Sequence, residues 1–323
     1  MITVTLYTKQ NCSLCDQAAA DLKALAKDYP HTLAEVDIEA DADLNAAYGE
    51  RVPVLQVGPY TLEAPFDHQK IQMTLAAARD RLAQTKDDSQ IQARRQRGAH
   101  FSGADRFTHW LSRRYMVLLN VFLAVYVGLP FLAPVLMNAG MTAAARPIYS
   151  VYGAVCHQMA FRSWFLFGEQ PAYPRASANV EGLQTYGEVT GMDEEDLLAA
   201  RAYVGNEDVG YKVAFCERDI AIYGAMFLFG MVFAATGRRI RSLPFWLWML
   251  IGIAPIAIDG FSQLFSQIPS FALWSYREST PLLRSLTGGL FGLTTAWFGF
   301  PLVEESMSET RQMLAAKRAR LRG

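Results

Sequence analysis

The sequence predicts an α/β domain over residues 1–84 joined to an all-α polytopic membrane domain over residues 115–303. Residues 1–84 carry 7 Lys and Arg against 12 Asp and Glu, with no apolar run longer than a strand. From Tyr115 onward four long uncharged stretches recur, at 115–137, 220–237, 242–258 and 285–303. A helix needs roughly 17–25 apolar residues to cross a bilayer core, so these four read as spans. The chain-wide hydrophobic content of 51% and net charge of −1 hide this break in composition.

The first domain reads in the order strand, helix, strand, helix, strand, strand, helix. Residues 3–7 alternate as a strand, and 18–29 place Leu22, Leu25 and Ala26 at helical spacing. Residues 33–38 form a second strand and 52–57 a third, and 60–62 pair back through Gly58-Pro59. Asp67 caps a last helix that runs to about Gln84. The first five residues lead into a strand, with no basic segment and apolar core of a secretory signal, so this domain is expected to stay in the cytoplasm.

Cys12-Ser13-Leu14-Cys15 falls between the first strand and the first helix. A CxxC in that position is a redox signal, because amide donors and the positive helix end stabilise a thiolate at the first cysteine. Cys15, one turn on, is placed to close a disulfide or resolve a mixed one. Cys12 is therefore the expected nucleophile and Cys15 the resolving thiol. The alternatives are an inert pair or a metal site, and the second CxxC of a zinc site is absent. The segment resembles the glutaredoxin-like branch of the thioredoxin superfamily, through Leu6-Tyr7-Thr8-Lys9-Gln10-Asn11-Cys12-Ser13-Leu14-Cys15-Asp16, Val36-Asp37-Ile38 and Arg51-Val52-Pro53-Val54. The resemblance covers essentially all of residues 1–84 and implies a thioredoxin-like fold, with Pro53 as a cis proline facing the active site. The Gly-Gly-x-Asp segment by which many glutaredoxins hold glutathione has no counterpart after Pro53, which weighs against glutathione as partner.

Basic residues cluster beside the spans: seven against three acidic in the linker 85–114, Arg238, Arg239 and Arg241 after the second span, and five with no acid after Thr310. Lys/Arg bias of this kind marks the cytoplasmic side, and it accounts for these blocks without nucleic acid. All three are cytoplasmic only if an even number of spans separates them. Residues 147–167 are therefore expected to be a re-entrant or partly inserted helix on the outer side, which suits their His157, Gln158 and Arg162. The acidic stretch 168–211 becomes an outer insertion with a short helix near 193–201, and 304–323 a basic cytoplasmic tail.

On that topology four polar pieces reach one outer face: Cys156, His157, Gln158 and Arg162; Cys216, Arg218, Asp219 and Tyr223; Asp259 and Gln263; and Glu278 with Arg284. Ionisable groups at the edge of apolar helices pair or perform work. Asp219, Asp259 and Glu278 can be matched by Arg162, Arg218 and Arg284, either to pin helix ends or to build a site. Cys156 and Cys216 admit three readings: a disulfide, a transition-metal set with His157 and Asp259, or buried free thiols. Gly288, Gly289 and Gly292 share one helix and let another approach closely. The same pieces resemble a family of bacterial and archaeal membrane proteins to which no settled reaction attaches, in Cys156-His157-Gln158, Arg162-Ser163, Cys216-x-Arg218-Asp219, Tyr223-Gly224, Asp259-Gly260-x-x-Gln263, Glu278-Ser279 with Arg284, and Thr287-Gly288.

No P-loop, dinucleotide fingerprint or GxSxG elbow occurs. The expected function is a thiol-disulfide oxidoreductase tethered in the cytoplasmic membrane of a prokaryote, with a thiol or disulfide partner. The CxxC pair requires no cofactor, whereas electron passage to the outer face would call for a quinone, a metal or a mobile helix. The alternative is a metal- or small-solute-handling membrane protein whose thiol module senses redox state or delivers metal.

Overall fold

The computed structural model describes residues 2–84, 100–268 and 274–321. Residues 85–99 of the basic linker lie outside the described residues. The chain divides into two compact units, Met1–Arg114 with Glu305–Gly323, and Tyr115–Glu304.

The first unit follows the expected order: β1 (Ile2–Thr8), α1 (Ser13–Leu25), β2 (His31–Asp37), α2 (Ala42–Tyr48), β3 (Val54–Val57), β4 (Tyr60–Glu63) and α3 (His68–Gln84). The sheet order is β2-β1-β3-β4, with β1 parallel to β2 and antiparallel to β3. The two-residue period of β1 sends Val4 and Leu6 to one face, where they pack with Leu22 of α1 and Ile71 and Leu75 of α3. Tyr7 goes to the other face, with Val36, Ile38 and Leu44.

That second face is covered by a helix where the sequence predicts a basic tail. The C-terminal helix (Pro281–Arg320) lays Ala315 and Ala316 into the Tyr7 cluster. Two of its basic residues are tied down within the unit: Arg311 donates to the Ser112 carbonyl at 2.9 Å, and Lys317 to Asp105 at 2.8 Å. Small side chains let the helix lie close, while the long basic ones reach around it.

The second unit is mostly helical. Its elements are α4 (Gly103–Asn138, counted here from Tyr115), α5 (Thr142–Gly153), β5 (Ser163–Leu166), α6 (Tyr186–Thr190), α7 (Leu197–Ala202), β6 (Gly205–Asn206), β7 (Gly210–Cys216), α8 (Glu217–Ala235), α9 (Phe245–Ser266) and α10, the C-terminal helix. Of these, α4, α8, α9 and α10 are long and apolar enough to cross a membrane. The crossing of α8 and α10 depends on glycine. A Cβ at Gly292 would come within 2.0 Å of the Ile222 carbonyl oxygen, and one at Gly288 within 2.7 Å of that of Arg218. Gly289 faces open space.

Residues 147–167 are not the single inserted helix that span parity suggested. After α5, Gln158 takes a left-handed φ of 53°, which an α-helix cannot continue through. Its side chain donates to the carbonyls of Tyr149 (3.0 Å) and Ala214 (2.7 Å), so the chain turns back onto β7. β5 then pairs antiparallel with β7 in a three-stranded sheet of order β5-β7-β6, an addition to the helical domain that was expected. The short helix near 193–201 is α7, capped by Asp196.

At one end of this unit Glu304 accepts from the Tyr115 hydroxyl at 2.6 Å and from Arg238 at 3.2 Å. The start of the apolar run of α4, the end of α8 and the middle of α10 therefore meet at Glu304.

Candidate functional site

The dithiol of the first unit is built at the start of α1. Cys12 is the N-cap, and its sulfur accepts the Cys15 amide at 3.2 Å. The two cysteines are joined in a disulfide. They differ in access, since Cys12 is half-exposed and Cys15, on the buried side of the first turn of α1, is 2% exposed. The Val52–Pro53 bond is cis, as the resemblance implied, and Pro53 leads directly into β3.

In the second unit the four polar pieces do come together, in two carboxylate-centred nodes and one sulfur cluster. At the first node Asp259 accepts from Arg218, from Arg277 at 3.1 Å and from the Ser279 hydroxyl at 2.9 Å. Gln263 locks the node by donating to the Asp259 carbonyl at 3.1 Å while its Oε1 accepts the Ser279 amide at 3.2 Å.

The second node is Glu278, 4% exposed, which accepts from Arg162 at 2.8 Å and from Arg284, with Arg175 at 3.5 Å from its other oxygen. Burial would raise its pKa, but the guanidiniums of Arg162 and Arg284 outweigh that and hold it below the ordinary carboxylate range. Arg284 also lies 3.8 Å from the fully buried Glu217, neither of whose carboxylate oxygens has a hydrogen-bond partner among the described residues. An apolar cavity of about 740 Å³ between α9 and α10, lined by Leu250, Ile258, Leu286 and Leu290, reaches Asp259 and Arg277 at its polar edge.

The third assembly departs from the expected pairing. Asp219 meets no arginine of the predicted set; it accepts from the Cys216 thiol at 3.0 Å. Cys156, Cys216 and Asp219 bring their ligand atoms within 4.8 Å of one another, and both cysteines are free. His157 is exposed and Asp259 is engaged at its own node, so neither joins the cysteines as the alternative metal set supposed. Tyr223 supplies an aromatic wall, its ring 4.9 Å from Tyr126 and 5.9 Å from Phe215. Gln158 serves the backbone turn described above.

The Cys156 thiol is held below its ordinary pKa by its side-chain contact with Cys216, against the opposing effect of burial. The Cys216 thiol is pushed up by the same contact, by burial and by the Asp219 carboxylate.

Sequence reasoning missed Arg175 and Lys212. Arg175 sits in a stretch with no helical or strand period, and its partner Glu278 is 103 residues away. Lys212 alternates with apolar neighbours in β7 and reads as an outward strand residue, yet it is 1% exposed. Burial lowers its pKa to about 7.

Residues 3–79 match the "Glutaredoxin-like domain (DUF836)" family and residues 209–298 the "Predicted membrane protein (DUF2085)" family. An uncharacterized protein of Methanocaldococcus jannaschii is 25% identical over 202 residues, covering 60% of this chain and 96% of that protein. A structural-genomics target protein from X. campestris, solved by X-ray, is 42% identical over 23% of this chain and 96% of its own, with a TM-score of 0.20. The chain thus joins a glutaredoxin-like domain at its N-terminus to a DUF2085 predicted membrane protein domain at its C-terminus.

Proposed function

We propose that the protein is a membrane-tethered thiol-disulfide oxidoreductase working through Cys12 and Cys15. The observation that carries this reading is the asymmetry of the pair, with Cys12 half-exposed at the α1 N-terminus and Cys15 buried behind it. The Cys12 thiolate attacks a substrate disulfide, forming a mixed disulfide and expelling one partner thiolate. Cys15 then attacks the Cys12 sulfur and expels the second, leaving the Cys12–Cys15 disulfide. A dithiol, or two thiols in turn, returns the pair to its reduced form with two electrons.

The glutaredoxin-like unit lies on the cytoplasmic side in this reading, and the carboxylate nodes and Cys156 cluster lie at the opposite face. Support comes from the basic residues that gather at the Glu304 end of the membrane unit and along the C-terminal helix. The test is disulfide reduction by the purified full chain, using insulin as substrate. Cys12→Ser abolishes turnover and Cys15→Ser accumulates a mixed disulfide. Wild-type turnover in Cys12→Ser overturns the assignment. Labelling of reduced Cys12 by a membrane-impermeant maleimide in intact cells overturns the orientation.

A further inference from the structure

We propose that Cys156, Cys216 and Asp219 form a binding site for a borderline-soft divalent metal ion of the zinc class, separate from the Cys12–Cys15 chemistry. The three donors come from two segments that the fold brings side by side. Cys156 is fixed just beyond α5, where its amide donates to the Tyr152 carbonyl at 2.9 Å. Cys216 closes β7 and caps α8, and Asp219, three residues on, shares its face of the helix.

A tetrahedral zinc ion has Zn–S bonds of about 2.3 Å and Zn–O bonds of about 2.0 Å, so its donors sit about 3.5–3.8 Å apart. The donor atoms here already lie within 4.8 Å of one another, so side-chain rotation alone closes the set. The Cys216–Asp219 hydrogen bond of 3.0 Å holds two of them at nearly that spacing. Two sulfurs and one carboxylate select zinc-class ions over magnesium or calcium, which require oxygen donors. Three protein donors leave a fourth position for water.

The charge of the surroundings fits the bound state. Lys212 is buried, and its ammonium donates to the carbonyls of Gln158 (2.9 Å) and Arg201 (2.6 Å); among the described residues it has no carboxylate partner. A divalent ion with two thiolates and one carboxylate carries a net charge of −1, which the electrostatic attraction between Lys212 and Cys156 offsets. As each metal–sulfur bond forms, any proton still on that sulfur leaves to solvent, so binding is proton-coupled.

The test uses the full chain in detergent, carrying Cys12→Ser and Cys15→Ser to remove the other thiols, reduced, stripped with chelator and titrated with Co2+. One Co2+ binds per chain with an intense thiolate-to-cobalt charge-transfer band, which Zn2+ displaces. Cys156→Ser or Cys216→Ser weakens binding by at least about 100-fold, the upper end of what even an outer-shell change costs. Asp219→Asn weakens it without abolishing the band. Because a serine variant can misfold, the same chain with its Cys156 and Cys216 intact is also alkylated with and without Zn2+, and the metal protects both. Absence of the band, its survival in both Cys156→Ser and Cys216→Ser, or alkylation indifferent to Zn2+ overturns the site. So does a Cys156–Cys216 disulfide whose reduction yields no Co2+ binding.

Discussion

Arg162 donates to Glu278 at 2.8 Å across 116 positions of sequence, and Arg284 grips the same carboxylate oxygen. The bond ties the turn before β5 to the segment that opens the last helix, so one buried carboxylate fixes two distant parts of the membrane unit.

Removing that carboxylate leaves Arg284, which is itself buried, short of its closest counter-charge. Breaking a buried pair from one side costs roughly 3–5 kcal/mol. Glu278→Gln is expected to destabilise the protein on that scale in a denaturant titration in detergent. Arg162→Lys has a smaller effect, because the Arg162 side chain is 38% exposed and water screens its charge.

The glycines of α10 make a sharper case. Gly292→Ala places a methyl 2.0 Å from a backbone carbonyl that cannot swing aside, so α8 and α10 must separate. Overpacking of this kind costs about 1–3 kcal/mol. Gly289→Ala meets no neighbouring atom and is expected to be neutral or slightly stabilising through helix propensity. Parallel unfolding curves of the two variants check the difference.

These glycines show what was legible in the sequence. Glycines at i and i+4 in an apolar run announce a close crossing, and the alternation of β1 and the CxxC before α1 announce the first unit. Legible too were the four spans and the convergence of Asp259, Gln263, Glu278 and Arg284. Obscured was whatever depends on long-range pairing. β5 holds only four residues and gains its identity from pairing with β7, 47 residues later. The choice of Asp219 over His157 as neighbour to the cysteines follows from helix phase after Cys216, combined with a turn at Gln158 that no local pattern marks.

Lys212 gives the membrane unit a pH signature. Its folded pKa is lowered to about 7, well under the ordinary lysine value. Between those two values the unfolded chain holds a proton that the folded chain has released, so stability rises with pH through that window. Unfolding midpoints measured from pH 7 to 10 are expected to climb from this group, and Lys212→Met removes that part of the climb.

Cys156 is expected to alkylate at lower pH than an ordinary thiol, because its contact with the Cys216 side chain favours its thiolate. Cys216→Ala removes that contact and moves the midpoint of the rate profile upward. Iodoacetamide labelling followed by peptide mass analysis reads the shift for Cys156 alone.

In the proposed exchange, the unequal access to Cys12 and Cys15 also fixes the order of events. With Cys15 buried in the first turn of α1, the disulfide and the reductant of that exchange both dock on the Cys12 sulfur. They react with different redox forms of that sulfur, so turnover alternates between two half-reactions. Initial-rate plots at several reductant concentrations are expected to run parallel, the signature of two alternating half-reactions.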